Sequence, residues 1–179
     1  MINNDVLKIL VTKEEIAEKC KELGQIITND YQDKDLLLIG LLKGCNPFIT
    51  DLAREINLLL EMNYMVVSSY HGGTTSTEEV QIKYDLEIPI KGRDILIVED
   101  IVDSGNTITT VAALLKHRGA NSVEVVTLLD KPEGRTKEFT PKYIGFTIPK
   151  EFVIGYGLDY KEKYRNLSYV GVLKPEIYT

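Results

Sequence analysis

Apolar residues follow two rhythms along the chain. Ile16, Cys20, Leu23 and Ile27 recur at steps of three and four behind Thr12 and Glu15, a Thr-x-x-Glu capping box. That spacing predicts an amphipathic helix from residue 12 to about 29, with Cys20 in its buried stripe. Elsewhere the apolar residues run without interruption over residues 36–41 and 95–98, and a third stretch, 123–129, is broken only by Glu124 and Thr127. Such runs mark short strands buried on both faces. Asn46-Pro47 predicts a helix start in cap-then-proline order, and residues 107–118 predict a helix stopped by Gly119. Leu58, Leu60, Met62 and Tyr64 share one face of a strand over residues 58–67, closed by Ser68, Ser69 and Tyr70. Residues 80–90 predict its hairpin return. Short strands are expected at 143–146 and 151–154, a tight aromatic loop at 155–160, and an edge strand at 169–173. Buried strands alternating with helices indicate an α/β class.

Composition narrows the function. The chain has 179 residues, a length expected to form one domain over residues 1–179 with a substantial core. A formal net charge of −6 argues against general nucleic-acid affinity. No apolar run approaches the roughly 20 residues of a membrane span, and MINNDVLKIL lacks the form of a signal peptide. Cys20 and Cys45 make neither a disulfide framework nor a zinc site, which suits a reducing cytoplasm. His71 and His117 are the only histidines, so histidine-centred catalysis has little to work with.

Chemistry concentrates in residues 95–107, ILIVEDIVDSGNT. A buried strand is expected to leave the core at Glu99 and Asp100, then turn at Asp103, Ser104 and Gly105, with Asn106 and Thr107 opening a helix. A helix start presents unpaired N–H groups and partial positive charge to an anion, and Ser104 and Thr107 add hydroxyls. Adjacent carboxylates suit ribose hydroxyls or hydrated Mg²⁺. Asp103, on the turn, is free to act as a base. The alternative is a surface acidic turn between strand and helix, which the ordered spacing of acids, turn residues and helix start disfavours. No Walker Gly-Lys-Ser/Thr is present, which disfavours a kinase-like nucleotide enzyme, and GxGxxG is absent as well. A second junction, Lys43-Gly44, follows another buried strand and suits a second anion at the same sheet edge. A Lys at such a turn is often only a solvated loop charge, but its position after a buried strand, matching the first junction, favours the anion site. Cys45 beside it is not expected to be reactive. Lys131 points beyond a third strand. Residues 71–79, HGGTTSTEE, read either as a disordered connector or as a mobile lid over substrate; exclusion of water favours the lid.

With Lys43-Gly44, Ser69-Tyr70, VEDIVDSGNT, Lys131, Phe152-Val153 and GLDYKEKYRNL in this order, the chain resembles the bacterial hypoxanthine-guanine phosphoribosyltransferases, within the type I phosphoribosyltransferases. The resemblance runs from about Val11 to Leu173. It implies a mainly parallel sheet flanked by helices, with a small hood and a mobile lid loop. It implies transfer of a ribose phosphate from 5-phosphoribosyl 1-pyrophosphate (PRPP) to hypoxanthine or guanine, giving IMP or GMP and pyrophosphate, with Mg²⁺ as cofactor.

By that resemblance the residues Asp103, Ser104, Gly105, Asn106 and Thr107 would hold the 5′-phosphate. Glu99 and Asp100 would hold the ribose hydroxyls, partly through Mg²⁺. Lys43, Gly44 and Arg165 would face pyrophosphate, near a strained, sometimes cis, peptide. Lys131, Phe152, Val153 and Asp159 would form the purine side: Lys131 reading O6, Phe152 stacking, Val153 using its backbone, and Asp159 also holding a second Mg²⁺. Asp103 would take the N7 proton, and Ser69 and Tyr70 would be the lid's contact. Asn106 stands where some members carry Lys, leaving the phosphate to N–H groups and hydroxyls. The family commonly forms homodimers or homotetramers. Singly, Phe152 could be core, Lys131 solvated, and Arg165 merely paired with Asp159 or Glu162. The competing functions are a xanthine-preferring enzyme and a non-catalytic PRPP-binding regulator; the acidic chain lacks the basic surface or extra domain usual in the latter.

Overall fold

The computed structural model describes residues 2–70 and 79–179, without the side chains of residues 2, 3, 69, 70 and 79. Strand β1 (Val6–Val11) leads into helix α1 (Lys13–Asp30), then β2 (Leu36–Leu42), α2 (Asn46–Glu55), β3 (Glu61–Tyr70) and β4 (Glu79–Tyr84). Next come β5 (Asp94–Val102), α3 (Asn106–His117), β6 (Ser122–Asp130), β7 (Tyr143–Thr147), β8 (Val153–Ile154), β9 (Val170–Leu173) and α4 (Pro175–Tyr178). A six-stranded sheet has the order β4-β3-β2-β5-β6-β7, parallel throughout except for the β3–β4 hairpin. A small antiparallel sheet, β1-β9-β8, forms the hood.

The uninterrupted apolar runs are buried because both faces of the main sheet carry helices. Leu36 and Leu38 of β2, with Leu96 and Val98 of β5, pack against Ile16, Cys20, Leu23 and Ile27 of α1 and Phe48, Ile49 and Leu52 of α2. Leu37, Ile39, Ile95 and Ile97 point the other way, onto Ile108, Val111 and Leu115 of α3. Period-two strand geometry deals successive side chains to opposite layers, so no position in these runs can be polar without cost. The capping box forms as expected: the Glu15 N–H donates to Thr12 Oγ1 at 3.2 Å and the Thr12 N–H to Glu15 Oε2 at 2.8 Å.

Several boundaries differ from the sequence reading. β5 does not leave the core at Glu99; its parallel ladder with β6 carries on through Glu99, Ile101 and Val102. The hairpin return stops at Tyr84, well short of residue 90. There Asp85 accepts the Leu86 N–H at 2.7 Å and is gripped by the Arg118 guanidinium, which turns the chain out of the ladder. Asn46 is inside α2 rather than its cap; Cys45 holds the cap position and makes no side-chain capping bond. β9 is the middle strand of the hood rather than an edge, because β1 pairs along its other side. β1 and α4 were not foreseen: Leu7 and Ile9 are exposed, so β1 shows no two-residue alternation. The expected lid at 71–79 lies, but for the backbone of Glu79, outside the described residues, as do the Ser69 and Tyr70 side chains.

Candidate active site

The parallel strands β2, β5 and β6 all end at one edge, and each delivers a functional segment there: Lys43-Gly44, Glu99 to Thr107, and Lys131. Outside the carboxyl ends of strands is where open α/β sheets bind ligands. On β5 the Glu99 side chain is buried and Asp100 half-buried. Burial, and then the neighbouring Asp100, push the Glu99 carboxyl well above the usual carboxylate range. Burial likewise pushes Asp100 up to about 6, against the opposing Ile101 N–H, which donates to Asp100 Oδ1 at 2.8 Å. Arg165 pulls Asp100 down and Asp159 pushes it up, so these two lie close enough for their charges to act on it.

Past β5 the chain turns through Asp103, Ser104 and Gly105 into α3. Gly105 holds the cap position of α3 at φ +82°, a left-handed conformation that disfavours other residues. The Asn106 N–H reaches Ser104 Oγ at 3.3 Å, closing the turn beneath the helix start. A cavity of about 210 Å³ opens here, lined by Asp103, Ser104, Gly105 and Thr107 with Glu99 and Ile101. It joins the expected phosphate cradle to Glu99, one of the two expected ribose acids. Ile101 was overlooked because an apolar residue between acids carries no chemical signal in sequence.

Of the residues expected on the base side, Lys131 reaches this turn. Lys131 Nζ lies 2.9 Å from Asp103 Oδ2, and the lysine side chain is only 13% exposed, so it is not a solvated strand-end charge. Phe152 is not core: it is 38% exposed, stacked on Tyr178 with centroids 4.7 Å apart and edge-on to Tyr160 at 5.7 Å. Val153 is buried, paired to Val172 in the hood. Tyr178 escaped sequence reading because α4 is a single turn beyond the last apolar run.

On the remaining side the cations and acids form one chain. Lys43 Nζ pairs with Glu162 Oε2 at 2.7 Å; Arg165 Nη2 meets Glu162 Oε1 at 3.1 Å and Asp159 Oδ1 at 2.9 Å. Arg165 therefore pairs with both Asp159 and Glu162, and Nη1 donates to the Gly157 carbonyl at 2.7 Å. The Leu42–Lys43 peptide is cis. Gly44 approaches Asp100 so closely that a Cβ there would stand 1.7 Å from Asp100 Oδ2. Among the described residues no group of three or more His, Cys, Asp or Glu side chains gathers as a metal cage.

The Phosphoribosyl transferase domain model matches residues 7–161. The Hypoxanthine-guanine phosphoribosyltransferase of Lactococcus lactis is 57% identical over 177 residues, 99% of this chain and 96% of that protein. The chain belongs to the hypoxanthine-guanine phosphoribosyltransferase family. A crystal structure of a Hypoxanthine Phosphoribosyltransferase from Staphylococcus aureus superposes with a TM-score of 0.96 at 52% identity, covering 99% of this chain and 97% of that one. The Bifunctional protein TilS/HprT of Listeria monocytogenes is 51% identical over 178 residues, and this chain spans 28% of its length. The sheet, helices and hood of this chain are thus a phosphoribosyltransferase arrangement, with the cavity described above at the strand edge.

Proposed function

We infer that this protein transfers the phosphoribosyl group of PRPP to hypoxanthine or guanine, giving IMP or GMP and pyrophosphate, in purine salvage. The observation that carries the site assignment is the Asp103–Lys131 pair, 2.9 Å apart, set between the α3 helix start and the adjacent acids Glu99 and Asp100. A phosphate, a ribose and a purine each find a matching neighbour within one edge of the sheet.

In this reading the 5′-phosphate rests on the turn of Asp103, Ser104, Gly105, Asn106 and Thr107, held by N–H groups, hydroxyls and the positive end of α3. Glu99 and Asp100 take the ribose hydroxyls. Lys43, Gly44 and Arg165 take the pyrophosphate, Lys43 and Arg165 exchanging Glu162 for it; the Arg165 fork suits phosphate oxygens. The base stacks on Phe152, meets the Val153 backbone, and is read at O6 by Lys131, which an oxo purine satisfies and an amino purine does not. As the bond from C1′ to pyrophosphate breaks and the C1′–N9 bond forms, Asp103 accepts the N7 proton. Ser69 and Tyr70 are proposed as the lid's contact.

Mg²⁺ fits the residues present. A buried and a half-buried carboxylate with raised proton affinity need a countercharge, and Mg²⁺ typically takes one or two carboxylates plus substrate oxygens rather than an all-protein cage. Glu99 and Asp100 would hold one ion and Asp159 a second. When bound, the metal would neutralise pyrophosphate charge. Residues 1–179 are proposed to act as one phosphoribosyltransferase domain, in the cytoplasm, as a homodimer or homotetramer. That placement is supported by the absence, among the described residues, of a helix long and apolar enough to cross a membrane.

The test is turnover with PRPP and Mg²⁺ against hypoxanthine, guanine and xanthine in turn. Hypoxanthine and guanine should react, and chelation should abolish the rate. Preference for xanthine would change the substrate assignment; PRPP binding without turnover on any base would make the protein a regulator.

A further inference from the structure

Three consecutive carbonyls of the turn that leads into α3 are tied to one segment after Lys131. Arg135 Nη1 donates to the Val102 carbonyl at 3.0 Å and to the Asp103 carbonyl at 2.6 Å. The Thr136 and Lys137 N–H groups both donate to the Ser104 carbonyl, at 3.0 and 3.1 Å. The other arm of the guanidinium, Nη2, pairs with Asp130 Oδ1 at the end of β6, and both side chains are almost wholly buried. The Arg135 side chain also runs past Gly105, where its Cδ would lie 3.1 Å from an added Cβ.

We propose that Arg135 is a positioning residue for the phosphate-binding turn and for Asp103, acting through the backbone carbonyls it holds. The proposal rests on the function inferred above. A trans peptide unit is planar, with its C=O and the following N–H pointing in opposite directions. Anchoring the carbonyls of Val102, Asp103 and Ser104 on one side therefore aims the N–H groups of Asp103, Ser104 and Gly105 at the other. Those are the donors a phosphate at this turn would meet. The same anchors fix the backbone from which the Asp103 carboxylate projects. A guanidinium suits the task because its planar fork can serve two carbonyls on one arm and a carboxylate on the other; a lysine ammonium is a single point. Asp130 neutralises the buried charge, so Arg135 orients the turn without itself being a phosphate ligand. Lys131 and Arg135 share one short connector, which couples the base-reading lysine to the phosphate-binding turn.

The experiment compares the full-length wild type with Arg135→Lys and Asp130→Asn, by steady-state kinetics and by calorimetric PRPP binding with Mg²⁺. Thermal unfolding is followed alongside. Arg135→Lys keeps the charge beside Asp130 but cannot span the carbonyls. It should raise the KM and the calorimetric Kd for PRPP by about tenfold or more, and lower kcat by up to about 10²-fold, as expected when a reacting group is misplaced by an ångström. Its KM for hypoxanthine should stay within about threefold. Asp130→Asn retains a side-chain acceptor and the carbonyl contacts, so its PRPP affinity should stay within about threefold even if its melting temperature falls. Wild-type PRPP affinity and kcat in Arg135→Lys would overturn the proposal. So would equal damage in Asp130→Asn, which would make the ion pair the operative element, or failure of Arg135→Lys to fold, which would make the arginine a stability residue. Failure of wild-type turnover would instead defeat the functional reading, and the calorimetric comparison would still decide the role of Arg135.

Discussion

Gly44→Ala adds one methyl group at the tightest point of the site. Its Cβ would lie 1.7 Å from Asp100 Oδ2 and 2.7 Å from Asp100 Cγ. Non-bonded heavy atoms rest at about 3.5 Å, so the two groups must part by roughly 1.5 Å or more. The Gly44 backbone cannot simply back away, because its carbonyl abuts Gly157, where an added Cβ would stand only 2.0 Å from it. The Asp100 carboxylate is therefore the group that moves, and in moving it strains the Ile101 N–H bond of 2.8 Å. Overpacking of this kind costs about 1–3 kcal/mol of folding stability. The catalytic loss should be larger in proportion. Asp100 is proposed to hold ribose and metal, and an ångström of misplacement can cost about 10²-fold in rate. Urea unfolding gives the stability change, and kcat with saturating PRPP over a Mg²⁺ titration gives the catalytic one. We expect kcat to fall by about 10²-fold and the Mg²⁺ requirement to rise. Normal kcat with a normal Mg²⁺ requirement would show that the Gly44–Asp100 approach has no catalytic consequence and would refute the placement of Asp100 as a ligand.

Asp103→Asn keeps size and hydrogen bonding but removes the base, so kcat should drop by about 10²–10⁴-fold with PRPP affinity by calorimetry little changed; a variant that stops binding PRPP would make Asp103 a ribose or metal ligand. Lys131→Ala leaves the purine O6 without a donor in a largely enclosed site, a loss of about 1–3 kcal/mol, so the KM for the base should rise roughly 5–150-fold. Because Lys131 also holds Asp103 at 2.9 Å, a smaller fall in kcat should accompany it, and an unchanged base KM would remove Lys131 as the base reader. Cys20 and Cys45 are buried, and burial pushes the Cys20 thiol up to about 11 and Cys45 higher still. A thiol reagent at pH 8 should therefore label neither in the folded protein and both in urea; rapid labelling of the native protein would contradict the packing around them.

What the sequence by itself determined is what depends on local pattern. The α1 capping box needs only Thr12 and Glu15 at the right spacing, and it forms as expected. The apolar runs of β2 and β5, and the mostly apolar β6, required helices on both faces, because their apolar side chains are withdrawn from water. Asp103 to Thr107 was legible as a turn into a helix because Gly105 and the hydroxyl residues have strong local preferences. The rest was decided by pairing between distant segments. Glu99 lies inside a strand rather than at its exit because β6 continues the ladder beside it, and no local propensity places a buried carboxylate there. The hood strand β1 has no amphipathic signature; its partner β9 lies about 160 residues away and supplies the hydrogen bonds. Lys131 was legible as a strand-end cation, but its bond to Asp103 depends on β5 and β6 being neighbours. Arg135 looked like any loop arginine, since nothing in Pro-Glu-Gly-Arg-Thr marks it. Only when β5 and β6 lie side by side do two carbonyls and a buried carboxylate converge on its guanidinium, leaving the arginine buried where local sequence implied exposure.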